Sequence, residues 1–232
     1  MTDKLTLSPR LSAAADLVRQ DALVADVGTD HAYLPIALCL DGRARGGVVS
    51  DINQGPITRA RENITKYRLE DRLCAVRTNG LWGIDIYRPE DIMILGMGGE
   101  LIATIIGDAQ WTKDPAIHLI LQPMTHPEHL RAHLAANGYA IIDERIVREE
   151  DKIYQIILSR YTGEAYTLSE EQLLLGKINV ERGGDSLYAL ADHYISTLSR
   201  KIKGMESAGV SATAERALID KIHKAKHKGE SI

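Results

Sequence analysis

Apolar positions change period along this chain. Up to about residue 160 they alternate between helical spacing and short unbroken runs, and beyond that point only helical spacing remains. Ser8 ahead of Pro9 marks a helix start, with Leu11, Ala14, Ala15 and Val18 on one face. LVADV, Leu23 to Val27, is suited to a strand buried on both faces, and it leads into a helix from Leu34 to Leu40 that stops near Gly42. The unit then recurs. GVVSD closes a strand at Asp51, and Pro56 opens a helix with Ile57, Ala60, Ile64 and Tyr67 on one side. LCAVR, Leu73 to Arg77, runs into TNGLWG, and DIMIL, Asp91 to Leu95, runs into GMGGE and a helix through Ile106. HLILQ, His118 to Gln122, precedes a helix opened by Pro127 and ended by Gly138. Alternation of this kind predicts a doubly wound α/β domain, a parallel sheet with helices on both faces.

The alternation then breaks. YAIIDERIV and KIYQIILSRY are joined only by REED, Arg148 to Asp151, which is too short for a crossover helix, so the two strands must pair antiparallel. A nicotinamide-dependent dehydrogenase would place another crossover helix there, so the hairpin favours the methyltransferase version of the fold. The sheet is complete by Arg160, and residues 1–162 are expected to form a domain able to fold by itself. In 163–232, Leu187, Leu190, Tyr194, Leu198, Ile202 and Met205 make one apolar stripe, SAGVS makes a break, and Ala214, Leu218, Ile222 and Ala225 make another. This predicts an antiparallel helical coiled-coil extension.

Composition excludes little, but charge is informative. The net charge of -4 argues against a general affinity for polyanions, yet Ser199 to Ile232 carries eight basic residues (Arg200, Lys201, Lys203, Arg216, Lys221, Lys224, Lys226, Lys228) against four acids (Glu206, Glu215, Asp220, Glu230). The extension is therefore expected to bind a polyanion, with a structural or assembly role as the alternative. No apolar run reaches the roughly 20 residues of a membrane span, and no basic head precedes an apolar run at the start, so membrane association is not expected and the location is expected to be cytoplasmic. Cys39 and Cys74 lack metal-type spacing and read as small buried thiols in a reducing compartment. No metal is expected.

In doubly wound sheets the ligand lies beyond the carboxyl ends of the strands. The residues there are Asp26, Gly28, Thr29, Asp30 and His31 after the first strand, Asp51 and Ile52 after the second, and Asn79 and Gly80 after the third. Gly96, Met97, Gly98 and Gly99 follow the fourth, and Gln122 and Pro123 the fifth. An acid at the end of the second strand is placed to accept hydrogen bonds from a ribose diol, which suits NAD and S-adenosylmethionine alike. A pyrophosphate needs a glycine-rich turn, and only Gly28 supplies one. The zwitterionic tail of S-adenosylmethionine tolerates side chains there, and polar ones could bind its ammonium and carboxylate. Other readings remain open: an oxidoreductase, a methyltransferase for another RNA or a small molecule, or an inert RNA-binding protein that keeps the fold.

SPRL, ADVGTDHAYLPI, INQGP, NGL, GMGGE, LQP, NGY and REEDKIYQII occur in order from about Leu7 to Tyr161. In these motifs the chain resembles the bacterial tRNA (adenine(22)-N1)-methyltransferases, class I enzymes with a coiled-coil extension. The resemblance implies methyl transfer from S-adenosylmethionine to N1 of an adenine in tRNA, and the protein is expected to be a monomer or weak dimer. It places Asp26, Gly28, Thr29, His31, Asp51, Ile52, Asn79, Gly80, Gly96, Met97 and Gly98 at the donor. N1 has a free lone pair and needs no deprotonation, so a carboxylate accepting from the N6 amine could offset the charge that develops. Asp30 is the expected catalytic residue, with Tyr33 beside it, and His31 and Tyr33 could hold the donor or stack on the base. Asp51 stands within SDI where Glu is commoner in the family, and either carboxylate can hold a ribose.

Overall fold

The computed structural model describes residues 5–227, so Lys228 and Glu230 of the basic tract lie outside the described residues. Helix α1 (Pro9–Ala15) is capped by the Ser8 side chain, which accepts from the Leu11 amide. It ends sooner than its apolar face suggests, yet Leu17 and Val18 beyond it remain buried. Next come β1 (Ala22–Val27), α2 (Tyr33–Leu40), β2 (Ala44–Asp51), α3 (Gln54–Lys66), β3 (Leu73–Arg77), β4 (Asp91–Gly98), α4 (Gly99–Asp108), β5 (His118–Thr125) and α5 (Pro127–Ala136). Strands β6 (Tyr139–Glu149) and β7 (Lys152–Tyr161) form the hairpin. β6 runs two residues past the expected end, so only Glu150 and Asp151 turn the chain, with Glu150 left-handed at φ 53°.

The seven-stranded sheet has the order β3-β2-β1-β4-β5-β7-β6. β1 to β5 pair in parallel, while β7 pairs antiparallel with both β5 and β6, as the short link requires. Strand neighbours alternate between two cores. Val24, Met93, Ile120 and Ile156 meet α1, α2 and α3 on one face, and Ala25, Ile92, Ile94, Leu119, Leu121 and Ile157 meet α4 and α5 on the other. Succession reverses between β1 and β4, and a crevice opens there at the carboxyl ends of the strands.

The last part contains α6 (Glu170–Leu175), α7 (Lys177–Arg182), α8 (Asp185–Ser207) and α9 (Thr213–Lys226). Leu187, Leu190, Leu198, Leu218 and Ile222 pack together as their spacing predicts, and Ile146 and Ile153 of the hairpin join that core. A buried polar hub reinforces the contact. Arg131 and Glu144 are both fully buried, with Arg131 Nε 2.8 Å from Glu144 Oε1. Arg131 Nη1 donates to the Leu173 carbonyl at 2.8 Å, and the Ile178 amide donates to Glu144 Oε2 at 2.9 Å. Gln155 accepts from Arg131 Nη2 and donates to the Tyr194 hydroxyl, so the sheet and the helices share one network. At Gly176, with φ +87°, a Cβ would stand 2.5 Å from the Glu144 carboxylate, so only glycine lets the chain pass this close.

Several cations of the extension are already paired with acids. Lys201 meets Glu215 at 2.8 Å, Lys221 meets Glu170 at 3.0 Å, Lys226 meets Asp192 at 2.6 Å, and Arg216 bonds Glu206. Arg200, Lys203 and Lys224 make no ion pair among the described residues.

Candidate functional site

The site is built on the turn after β1. Gly28 takes φ +79°, and the amides of Gly28 and Thr29 both donate to the Ser50 carbonyl, at 2.8 and 2.9 Å, which fastens the turn to the end of β2. Thr29 Oγ1 accepts from the Ala32 amide at 3.0 Å, and Ala32 is left-handed at φ 58° just before α2. A Cβ on Gly28 would lie 2.0 Å from Met97 Cε, so the Met97 thioether arches over bare backbone.

Two recesses meet at Gly28. One, of about 340 Å³, is lined by Arg10, Asp26, Gly28, Thr29, Asp30, His31, Tyr33 and Gly96. The other, of about 160 Å³, is lined by Gly28, Asp51, Ile52, Thr78, Asn79, Gly80 and Met97. The crevice thus gathers every donor-binding and catalytic residue expected from the sequence except Gly98, which lies one residue further on, extended and with Thr125 Oγ1 3.3 Å from where its Cβ would be. A larger hollow of about 800 Å³ adjoins the second recess through Asn79, Gly80, Leu101 and Ile105 and is walled by Trp82 and Trp111.

Asp26 sits at the floor of the first recess and is only 8% exposed. Burial pushes its carboxyl up to about 6, against a hydrogen bond with Thr29 that favours the charged form. Asp51 Oδ1 accepts from the Asn53 amide at 2.7 Å, which fixes the carboxylate at the start of α3. Asp30 stands at the exposed mouth, ion-paired to Arg59, with Oδ2 3.2 Å from His31 Nε2. The His31 and Tyr33 rings stack, with centroids 5.0 Å apart and planes at 7°.

Two partners of these groups lie far away in sequence. Arg10, from α1, reaches the first recess, donates from Nη1 to Gln122 Oε1 at 2.7 Å and lies 5.4 Å from the centre of the Tyr154 ring. The same Gln122 oxygen accepts from the Gly96 amide at 3.1 Å, where Gly96 has φ +77°. Arg59, from α3, holds Asp30. In sequence Arg10 shows only as part of SPRL at a helix start, and Arg59 as one exposed cation of an amphipathic helix. The glycine-rich segment after β4 is less of a loop than expected: Met97 pairs with Pro123 and Gly98 with Thr125, through irregular register, and α4 begins at Gly99.

Among the described residues no helix is long and apolar enough to cross a membrane. The methyltransferase domain family matches residues 7–157. The tRNA (adenine(22)-N(1))-methyltransferase of Bacillus subtilis is 36% identical over 157 residues, covering 68% of this chain and 66% of that protein, so the aligned region spans just under two thirds of the relative's length. A Streptococcus pneumoniae protein solved in complex with S-adenosyl-L-methionine is 27% identical with a TM-score of 0.84, covering 96% of this chain and 100% of the other. M. capricolum TrmK, solved with the product S-adenosyl-homocysteine, is 27% identical with a TM-score of 0.80, covering 94% and 96%. The chain belongs to the methyltransferase domain family, and it is similar in sequence and in fold to tRNA (adenine(22)-N1)-methyltransferases.

Proposed function

We propose that this protein transfers the methyl group of S-adenosylmethionine to N1 of adenine 22 in tRNA, with the donor lying across Gly28 in the two joined recesses. The observation that carries this reading is their make-up. One recess offers an acid and a base, Asp26 and Arg10, to a zwitterionic amino-acid tail, and the other offers Asp51 to a ribose beside Ile52, Asn79 and Gly80. A dinucleotide fits poorly, because Thr29, Asp30 and His31 occupy the turn where a pyrophosphate needs bare amides.

When bound, the donor supplies an electrophilic methyl group on a sulfonium. Asp26 binds its ammonium and Arg10 its carboxylate, while Gln122 sets the angle of Arg10 and the position of the Gly96 backbone. Asp51 accepts from the ribose hydroxyls. N1 of the neutral adenine donates its lone pair to the methyl carbon as the carbon–sulfur bond breaks, so the base gains the positive charge that the sulfonium loses. Asp30, at the mouth, accepts from the N6 amine and stabilises that charge; Tyr33 and His31 form a flat platform beside it.

Residues 1–162 carry the chemistry, and 163–232 form the helical extension that meets tRNA through cations without acid partners among the described residues, such as Arg200, Lys203 and Lys224. The protein acts on tRNA in the cytoplasm, as a monomer or weak dimer. The test is mass spectrometry of unmodified tRNA incubated with the protein and isotopically labelled donor. One label at N1 of adenine 22 is expected; no transfer, or transfer to an exocyclic amine or another nucleotide, would overturn the reading.

A further inference from the structure

We propose that Glu100, His126, Glu128 and His129 form a binding site for a divalent metal ion of the zinc class, on the rim of the crevice and separate from the methyl-donor recesses. The three ligands lie within four residues at the start of α5, and only the fold brings the supporting carboxylate, Glu100 at the start of α4, beside them. Gly99 makes the approach possible: a Cβ there would lie 2.2 Å from the His126 carbonyl oxygen, so the first turn of α4 packs directly on the backbone at the start of α5. Glu100 is thereby set beside His129.

The geometry suits three ligands and one supporting group. One ligand atom from each of His126, Glu128 and His129 lies within 4.8 Å of the others. Ligand atoms at about 2.0–2.1 Å around a tetrahedral zinc ion are about 3.3 Å apart, so a small rotation of exposed side chains closes the set. His129 is already oriented. Its Nδ1 lies 3.1 Å from Glu100 Oε1, and its Nε2 faces Glu128 Oε1 at 4.0 Å. A carboxylate that accepts from one ring nitrogen while the other is presented to the metal is the usual support of a ligating histidine. His126 Nδ1 lies 3.1 Å from the same Glu128 oxygen, and the two imidazole centres are 5.3 Å apart. Two imidazoles and one carboxylate match the preferences of zinc, and leave a fourth position for water or another oxygen ligand. Occupation would tie the first turns of α4 and α5 together next to the Gly96–Gly99 segment.

The test is titration of the untagged, metal-free full chain with Zn²⁺ against a chromophoric chelator, with thermal melting in parallel. One equivalent is expected to bind with micromolar or tighter affinity and to raise the melting temperature. Because all four side chains are exposed or only partly buried, substitution should leave the fold intact, as circular dichroism will show. His126→Ala and His129→Ala should each weaken binding at least about tenfold, and Glu100→Ala should weaken it by about 10- to 100-fold through the lost support of His129. The absence of a stoichiometric site, or a site of unchanged affinity in the His126→Ala/His129→Ala double variant, would overturn the proposal. Neither outcome bears on methyl transfer, which is read separately.

Discussion

Replacing Asp26 with Asn should stabilise the ligand-free protein while weakening its hold on the methyl donor. The side chain is buried, and its carboxyl is raised from 3.8 to about 6, chiefly by that burial. An acid whose folded-state value lies above its unfolded value favours folding in its protonated form. That contribution is fully present below about pH 4 and is lost as pH rises through about 6. That rise corresponds to about 3 kcal/mol at full ionisation. Asn keeps the shape and an oxygen that can accept from Thr29, but it does not titrate. The stability of Asp26→Asn relative to the parent should therefore improve by about 2–3 kcal/mol between pH 4 and pH 7.5, a difference in which every other titrating group cancels. Urea unfolding of both proteins at the two pH values measures it, with the slope checked for constancy. Calorimetry at pH 7.5 should show the opposite trend for ligand, a loss of about 1–3 kcal/mol in S-adenosylmethionine affinity as the ammonium loses its charged partner. An equal stability difference at both pH values would refute the burial argument, and unchanged donor affinity would remove Asp26 from the ammonium site.

Other changes probe the remaining parts. Asp30→Ala should lower single-turnover methylation at least about a hundredfold with little effect on donor affinity; a nearly active Asp30→Asn would assign the residue to positioning alone, and normal turnover in Asp30→Ala would shift the role to His31 or Tyr33. Asp51→Ala should cost about 1–3 kcal/mol in donor affinity by calorimetry, and tight NAD binding by the parent would contradict the cofactor assignment. Glu144→Ala leaves the Arg131 guanidinium buried without its counter-charge, and should destabilise the protein by about 3–5 kcal/mol in urea unfolding. For the same reason a chain ended at Arg160 loses the Leu173 carbonyl and Ile178 amide partners and uncovers Ile146 and Ile153, so its thermal transition should fall sharply; an unchanged transition would show that the sheet folds independently of the helices, as its pattern alone suggests. Gln at Arg200, Lys203 and Lys224 together should flatten the salt dependence of tRNA binding by roughly one unit of slope for each phosphate no longer neutralised.

Local pattern determined much of this protein. The runs at Leu23, Asp91 and His118 are apolar on consecutive positions because a parallel sheet covered on both faces buries both sides of each strand, and that requirement is legible residue by residue. The four-residue REED link fixed the antiparallel hairpin through chain reach alone, and Gly28 with Asp26 and Asp51 marked the crevice because each stands at the end of a strand. Tertiary structure decided what depends on meetings between distant segments. Arg10 reaches the first recess across more than a hundred residues to Gln122, and Arg59 reaches Asp30 from α3, beyond the intervening helix and strand; an exposed-looking arginine carries no local sign of either. Charge in a sequence has no partners, so every cation of the basic tract from Ser199 on reads as free, whereas the packed helices set acids opposite Lys201, Arg216, Lys221 and Lys226. Arg131 and Glu144 carry the same lesson, since two charges at ordinary helix and strand positions become one buried pair only when the helices close over the hairpin. Periodicity records which side of an element is covered, and only the assembled fold determines what covers it.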